Sequence, residues 1–228
     1  QGIRLRAPAA GELPSGGLAL SWAGHHPPQE ATEVRLRPDS VRLEALEPFA
    51  AWDGRNFQDL PILVKTLGPT TTDQISPAGP DWLPLRGHLS GISFNLLLGA
   101  IDAETGQAAP AVEREVLGRM RRVSPWALKA LELRPRGGSI VVGDHNYGEG
   151  SSREHAAMSP RFLGVRAVVA RSLARIHEAN LARQGILPLT FSDPSDYERV
   201  HQGDRLALLD LATLTCAAPV RARVDGRD

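Results

Sequence analysis

The sequence predicts an α/β fold, because strand-like apolar segments alternate with helix-like segments in the second half of the chain. Three short segments are rich in β-branched and apolar residues throughout, which is typical of strands buried on both faces. They comprise residues 140–142, 166–170 and 186–191. Between the last two, residues 172–184 space their apolar side chains as a helix does, and Gly185 stands where such a helix would end. This order favours a sheet with helices packed on it.

The first half of the chain contains shorter elements. Residues 60–65 predict a strand bounded by polar residues, and residues 125–133 predict a short helix. Compact structure is expected to begin near residues 41–49, whose apolar spacing indicates a short amphipathic turn or helix. Residues 70–84 are rich in Thr, Gly and Pro and predict a long loop, and long loops in compact domains are often functional.

Length and charge restrict the domain organisation and the partners. The 228 residues suffice for one large domain with an extension. Prolines and glycines interrupt every periodic stretch of residues 1–38, which predicts an interdomain linker or tether, with the domain over residues 39–228. The 26 basic residues balance 26 acidic ones, so no nucleic-acid partner is expected. No apolar run approaches the roughly 20 residues of a membrane span, so no membrane partner is expected either.

The chain holds one cysteine, Cys216. One thiol excludes an intrachain disulfide and any cysteine-rich metal or iron–sulfur site made by this chain alone. Cys216 lies in a strand-like run, where we expect a buried structural thiol. The lack of a disulfide framework and of a leader predicts a reducing compartment, by default the cytoplasm. Because the chain starts at Gln1, we expect it to be trimmed or cut from something longer.

A glycine-rich turn at residues 143–150 follows the first buried strand of the second half. Ser151 to Glu154 fits the capping-box pattern, which predicts a helix beginning there. Such a turn places unpaired backbone N–H groups and the positive end of a helix beside two hydroxyls and Arg153, whose guanidinium could bind a carboxylate by two parallel hydrogen bonds. The pattern alone also fits a plain capped helix. The turn lacks the P-loop Lys-Ser/Thr pair and the dinucleotide spacing, so it predicts a carboxylate or phosphate site.

Several stretches of the chain resemble the C-terminal, or swivelling, domain of the aconitase family. The most specific is Gly143-Asp-His-Asn-Tyr-Gly-Glu-Gly-Ser-Ser-Arg-Glu-His-Ala-Ala157. The others, in chain order, are residues 46–49, 51–54, 71–80, 85–89 and 172–191. Residues 1–38 are similar to the tether that joins the first three domains of that family to the fourth. The resemblance covers nearly the whole chain.

The resemblance implies a swivelling β/β/α domain, with a mixed or barrel-like sheet and flanking helices. It implies that Ser151 is the catalytic base, acting as an alkoxide in the interconversion of citrate and isocitrate through cis-aconitate. Serine is a weak base near neutral pH, so backbone N–H groups must stabilise its anion. Ser152, Arg153 and Arg86 match residues that bind the substrate, and Asp73 matches a possible supporting residue. A tricarboxylate carries about three negative charges near neutral pH, which calls for several converging arginines.

The resemblance also implies a cofactor and partners outside this chain. Family members hold a [4Fe–4S] cluster with three cysteines of the preceding domains, and its open iron acts as a Lewis acid. This chain is expected to bind no metal, to be inactive alone, and to work with those cluster-bearing domains, in the cytoplasm or, in a eukaryote, the mitochondrial matrix. Gln74 departs from the histidine expected in many relatives.

Two other functions stay open at this point. One is the small subunit of an isopropylmalate dehydratase or homoaconitase, which carries a similar Ser-Ser-Arg-Glu-His turn. The segment 71–80, the Tyr-Gly-Glu-Gly form of the turn and the long linker speak against it. The other is a non-catalytic module derived from aconitase, which retention of Ser151, Ser152, Arg153 and Arg86 together argues against.

Overall fold

A computed structural model describes residues 35–151, 153–215 and 218–225. Predictions for Ser152, for Cys216 and for most of the linker lie outside these residues, and the boundary at residue 38 remains a prediction. The strands are β1 (Phe57–Lys65), β2 (Val112–Val116), β3 (Arg119–Val123), β4 (Ser139–Gly143), β5 (Val165–Ala170), β6 (Leu187–Thr190), β7 (Arg205–Leu208) and β8 (Ala222–Val224). The helices are α1 (Thr72–Ile75), α2 (Leu89–Ile92), α3 (Pro125–Leu133), α4 (His155–Phe162) and α5 (Arg175–Arg183).

Six strands form one mixed sheet in the order β6-β5-β4-β1-β7-β8. The strands β6, β5, β4 and β1 run parallel, whereas β7 and β8 pair antiparallel at the other end. Every residue of β4 is buried, as the uniformly apolar run over residues 140–142 predicted. Helices flank this sheet, so the predicted fold class, an α/β domain with a mixed sheet, is confirmed.

The two faces of the sheet have separate cores. Val141 and Val168 point to the face covered by α3, α4 and α5, where Ala130, Ala157 and Leu181 pack against them in one cluster. Their neighbours along the strands belong to a second cluster on the opposite face, composed of Leu60, Ile140, Ala167, Val169, Leu206, Leu208 and Leu211. Because successive strand residues alternate between faces, an unbroken apolar run supplies both cores at once.

Local sequence signals placed several elements correctly. Helix α3 spans the predicted residues, and it starts where the Ser124 Oγ accepts a hydrogen bond from the Trp126 N–H at 3.2 Å. Helix α5 is shorter than predicted but ends before Gly185, whose φ of 74° is the left-handed conformation expected after a helix. The predicted strands over 60–65, 140–142, 166–170 and 186–191 are confirmed as β1, β4, β5 and β6.

Three parts of the chain differ from the prediction. Residues 41–49 form no helix, because the backbone of this segment pairs with Gly87 instead of with itself. Leu43 forms a short parallel bridge with Gly87, and its side chain stays half exposed. The predicted loop 70–84 contains α1. The hairpin of β2 and β3 was missed, because its turn places Leu117 at a φ of 52°, which few leucines adopt.

Among the described residues, none of the helices has the length and apolar character needed to cross a membrane.

Candidate functional site

The glycine-rich turn leaves the sheet where β4 ends, next to the end of β5. Ligand sites of open parallel sheets lie beyond these carboxyl ends. Asp144, the first turn residue, is buried and accepts hydrogen bonds from the Gly68 N–H at 2.8 Å and from Arg171 at 3.1 Å. Burial alone would raise the pKa of Asp144, but the Gly68 N–H and Arg171 hold that pKa below its ordinary value. These two bonds fix the position of Asp144, where the turn begins.

Residues 172–174 hold one side of the turn. The Asn146 N–H donates to the Ser172 Oγ at 2.8 Å, and the Tyr147 N–H donates to the Ser172 carbonyl at 2.9 Å. The Ala174 N–H donates back to the Tyr147 carbonyl at 2.9 Å. These bonds form a short parallel bridge between Tyr147 and Leu173. The bridge fixes the position of the family-like segment 143–157 relative to the segment 172–191.

Residues 70–72 hold the other side. The Gly148 N–H donates to the Thr70 carbonyl at 2.7 Å, and the Thr72 N–H donates to the Glu149 carbonyl at 2.8 Å. The Thr72 hydroxyl donates to the carbonyl of Ser151 at 2.9 Å. The turn that carries Ser151 is thus hydrogen-bonded along both edges.

Ser151 does not cap a helix, so the predicted capping box at Ser151–Glu154 is wrong. Helix α4 begins at His155 after Glu154, whose side chain makes no capping bond. Gly150, with a φ of 108°, turns the chain so that Ser151 stays exposed, three residues before Glu154. The field of a helix end weakens over such a distance. No described residue accepts a hydrogen bond from the N–H of Gly150 or Ser151, so these donors are open to an anion.

Arg153 and Asp73 meet across the site. The Arg153 guanidinium binds the Asp73 carboxylate with two hydrogen bonds, from Nη1 to Oδ1 and from Nη2 to Oδ2, the second at 2.8 Å. Nη1 also lies 3.4 Å from the Ser76 carbonyl. The Arg153 side chain is only 17% exposed, whereas that of Asp73 is 64% exposed. Asp73 therefore fixes where the guanidinium points.

Arg86 is joined to the same region through its backbone. His155 Nε2 lies 2.8 Å from the Arg86 carbonyl, and since a carbonyl oxygen only accepts, Nε2 carries the hydrogen. His155 therefore donates a hydrogen bond to the backbone of Arg86. The Arg86 side chain is exposed, and its guanidinium has no partner among the described residues. The structure thus brings Asp73, Arg86, Ser151 and Arg153 to one surface region.

No metal centre accompanies these residues in the described part of the chain. Nowhere in residues 35–151, 153–215 and 218–225 do three His, Cys, Asp or Glu side chains come together in an arrangement that could hold a metal ion. Apart from the Asp73 carboxylate, which pairs with Arg153, the site as described consists of hydroxyl, guanidinium and backbone N–H groups, which bind anions.

The buried side chain of His177 packs against the turn at Gly148. The sequence analysis did not identify this residue. It is 1% exposed, and a Cβ added to Gly148 would lie 2.2 Å from its ring. Neither ring nitrogen has a hydrogen-bond partner among the described residues. Burial lowers the pKa of His177 to about 4, so the ring is neutral near pH 7. Only the helical position of His177 on the inner face of α5 hinted at burial.

We expect acid to destabilise the domain through His177. The pKa of His177 in the folded state lies below the ordinary value of about 6.5. The stability that the neutral His177 ring contributes is therefore complete above pH 6.5 and is lost as the pH falls to about 4. The expected loss of unfolding free energy over this window is about 3 kcal/mol. Denaturant unfolding at pH 7 and pH 4 should show this extra loss in the wild type relative to His177→Gln, which cannot titrate. Equal losses in the two proteins would contradict it.

Residues 60–194 match the family model described as the aconitase C-terminal domain. The chain belongs to the aconitase family. Asp73, Arg86, Ser151 and Arg153 all lie inside the matched range. The turn and the segments that hold it, residues 70–72 and 172–174, lie inside this range as well.

The similarity to curated relatives extends over nearly the full chain. This aconitase-family chain is 46% identical over 99% of its length to the mitochondrial aconitate hydratase of Gracilaria gracilis, and 45% identical over 96% to that of Saccharomyces cerevisiae. It spans 29% and 28% of those two proteins. A solved 3-isopropylmalate dehydratase from Methanocaldococcus jannaschii is 20% identical with a TM-score of 0.45, covering 75% of this chain and 83% of that one, a likeness too loose to build on.

Proposed function

We propose that this chain is the C-terminal domain of an aconitate hydratase and supplies the serine base and substrate-binding arginines for the conversion of citrate to isocitrate through cis-aconitate. One observation carries the proposal: Ser151 sits exposed on a turn that is hydrogen-bonded along both edges, in the same surface region as Arg153 and Arg86. The relatives named aconitate hydratase support the same reaction.

The chemistry asked of Ser151 is the transfer of one proton. Its Oγ, as the alkoxide, takes the carbon-bound proton; the electron pair of that bond forms the double bond of cis-aconitate, and hydroxide leaves the neighbouring carbon. Rehydration adds hydroxide to the carbon that lost the proton and a proton to the carbon that lost hydroxide, which gives isocitrate. The open N–H groups of Gly150 and Ser151 are the donors that would stabilise the alkoxide. No residue of this chain is assigned to the departing hydroxide.

The arginines bind the carboxylates of the substrate. Arg86 has an exposed guanidinium without a partner among the described residues, so a carboxylate can approach it freely. Arg153 has its Nη atoms on Asp73 and leaves its Nε edge for the substrate. Ser152, which lies outside the described residues, is proposed as a further ligand of the carboxylate. In this scheme Asp73 is a positioning residue, because it acts through Arg153.

The cofactor of the family does not fit this chain. A [4Fe–4S] cluster as the family holds it needs three cysteines, and the chain has one. We therefore place the cluster on the cysteines of the remaining part of the enzyme and derive no step from it here. The partners are that cluster-bearing part and the tricarboxylate. The names of the relatives support the mitochondrial matrix rather than the cytoplasm as the compartment.

A reconstitution assay tests the proposal. The 228-residue chain is mixed with the separately produced cluster-bearing part of a relative, and formation of cis-aconitate from citrate is followed. We expect turnover in the mixture and none with either component alone, because the base and the cluster lie on different parts. Turnover of isopropylmalate in place of citrate would favour the isopropylmalate dehydratase alternative. No turnover of either substrate by a mixture that forms a complex would contradict the proposal.

A further inference from the structure

Thr72 makes a contact to Ser151 that the proposed chemistry does not yet use. Its hydroxyl donates to the Ser151 carbonyl oxygen at 2.9 Å, and among the described residues no other side chain hydrogen-bonds to Ser151. Thr72 is 3% exposed, so water does not readily replace this bond. Its N–H donates to the Glu149 carbonyl at 2.8 Å. Thr72 therefore holds the turn on both sides of Gly150.

The position of Thr72 is itself set by its neighbours. The Gln74 N–H donates to the Thr71 Oγ1 at 3.2 Å, and the Thr71 N–H donates to the Gln74 Oε1 at 2.7 Å, which forms a complete capping box at the start of α1. Gln74, at the position where the family resemblance implies a histidine, has this structural task. Because the box fixes the backbone on either side of Thr72 and its β-branched side chain is stiff, the hydroxyl has a defined direction.

We propose that Thr72 is the positioning residue of Ser151: its hydroxyl fixes the peptide that follows Ser151 and engages the carbonyl oxygen of the residue that forms the alkoxide. The inference rests on the proposed function of Ser151 as base. A carbonyl oxygen is the negative end of a dipole, and an anion on the same residue is raised in energy by it. A hydrogen bond from the Thr72 hydroxyl directs positive charge at that oxygen, and it holds the peptide that follows Ser151, so the Ser151 backbone keeps one orientation.

Replacement of Thr72 by valine isolates the hydroxyl, since Val keeps the shape and the backbone N–H bond. In the reconstituted enzyme we expect Thr72→Val to lower kcat for citrate about tenfold. The KM for citrate should stay within about twofold, because Arg86 and Arg153 are untouched. We also expect the kcat–pH profile to shift to higher pH, because a less stabilised alkoxide forms at higher pH. This shift distinguishes a positioning role from a purely structural one. Thr72→Ser, which restores a hydroxyl, should recover most of kcat.

Thr66→Val is the matched control. Thr66 is fully buried and its hydroxyl accepts from the Thr70 hydroxyl at 3.0 Å, so the same change again leaves one buried hydroxyl without a partner, but that hydroxyl makes no hydrogen bond to Ser151. We expect it to lower thermal stability as much as Thr72→Val does, with kcat and its pH profile unchanged. A purely structural role of Thr72 would make the two variants alike in every readout.

The inference is overturned if Thr72→Val leaves kcat and the pH profile unchanged, or if Thr66→Val reproduces its effect. Should Thr72→Val not fold, Thr72→Cys replaces it: the thiol is a weak donor of similar size, and kcat between those of the wild type and one tenth of it is expected, whereas wild-type kcat would overturn the inference. Ser151→Ala separates the two proposals. If Ser151→Ala stays active, the proposed function fails; if it is inactive and Thr72→Val is normal, only the role of Thr72 fails.

Discussion

Replacing Ser151 by alanine is expected to lower kcat for citrate dehydration in the reconstituted enzyme by about 10²- to 10⁴-fold, the contribution of a positioned general base. The affinity for citrate should change by less than about threefold, because the guanidinium groups of Arg86 and Arg153 remain in place. The fold should also be unaffected, since Ser151 is exposed and its backbone, not its side chain, holds the turn.

The control for this prediction is Ser192→Ala, which removes another exposed serine hydroxyl, one that follows β6 and is not among the predicted site residues. We expect wild-type kcat from it. Steady-state kinetics with citrate, together with a direct binding titration, give kcat and affinity separately. Ser151→Ala with more than about one tenth of wild-type kcat would rule out the assignment of the base, whatever the affinity.

Replacing Gly148 by alanine is expected to have the largest effect on stability, a loss of about 2–5 kcal/mol of unfolding free energy. The φ of Gly148 is 85°, a conformation that costs an alanine about 1–2 kcal/mol. The added Cβ would in addition lie 2.2 Å from the buried ring of His177, which has no room to retreat. Overpacking of this kind typically costs a further 1–3 kcal/mol.

Gly203→Ala separates the two contributions. Gly203 has nearly the same φ, 89°, but a Cβ added there meets no atom within 4 Å, so only the backbone cost of about 1–2 kcal/mol is expected. Urea unfolding of both variants and the wild type measures the difference. If the two glycine variants lost equal stability, the contact between the turn and His177 would be of no energetic consequence.

The elements that the sequence predicted correctly share one property. The strands β4, β5 and β6 and the helix α3 are marked by apolar runs or a capping serine within their own residues, so local signals suffice. The hairpin of β2 and β3 has no such mark, because its strands are largely exposed and β3 carries three arginines. Its turn depends on Leu117 in a left-handed conformation, which a leucine in the sequence does not predict.

The site shows the same division. The residue types of the turn, its glycines and the family resemblance were sufficient to predict Ser151, Arg153, Arg86 and Asp73, and these assignments remain predictions about chemistry. The Ser/Thr-x-x-Glu/Gln pattern occurs both at Thr71–Gln74 and at Ser151–Glu154. Only the first forms a capping box, because Gly150 and the Thr72 hydroxyl hold Ser151 in the turn instead.

By itself, the sequence determined the α/β class, the family and the residue types that an anion site needs, because periodicity and motif are properties of neighbours along the chain. The tertiary structure alone decided what surrounds those residues: the pairing of Arg153 with Asp73, the bond from Thr72 to Ser151, and the neutral His177 beneath Gly148. The first two contacts join residues about 80 positions apart, and the third joins a turn to the helix that follows the next strand. Distances of that kind are set by how strands and helices pack, which no local pattern encodes.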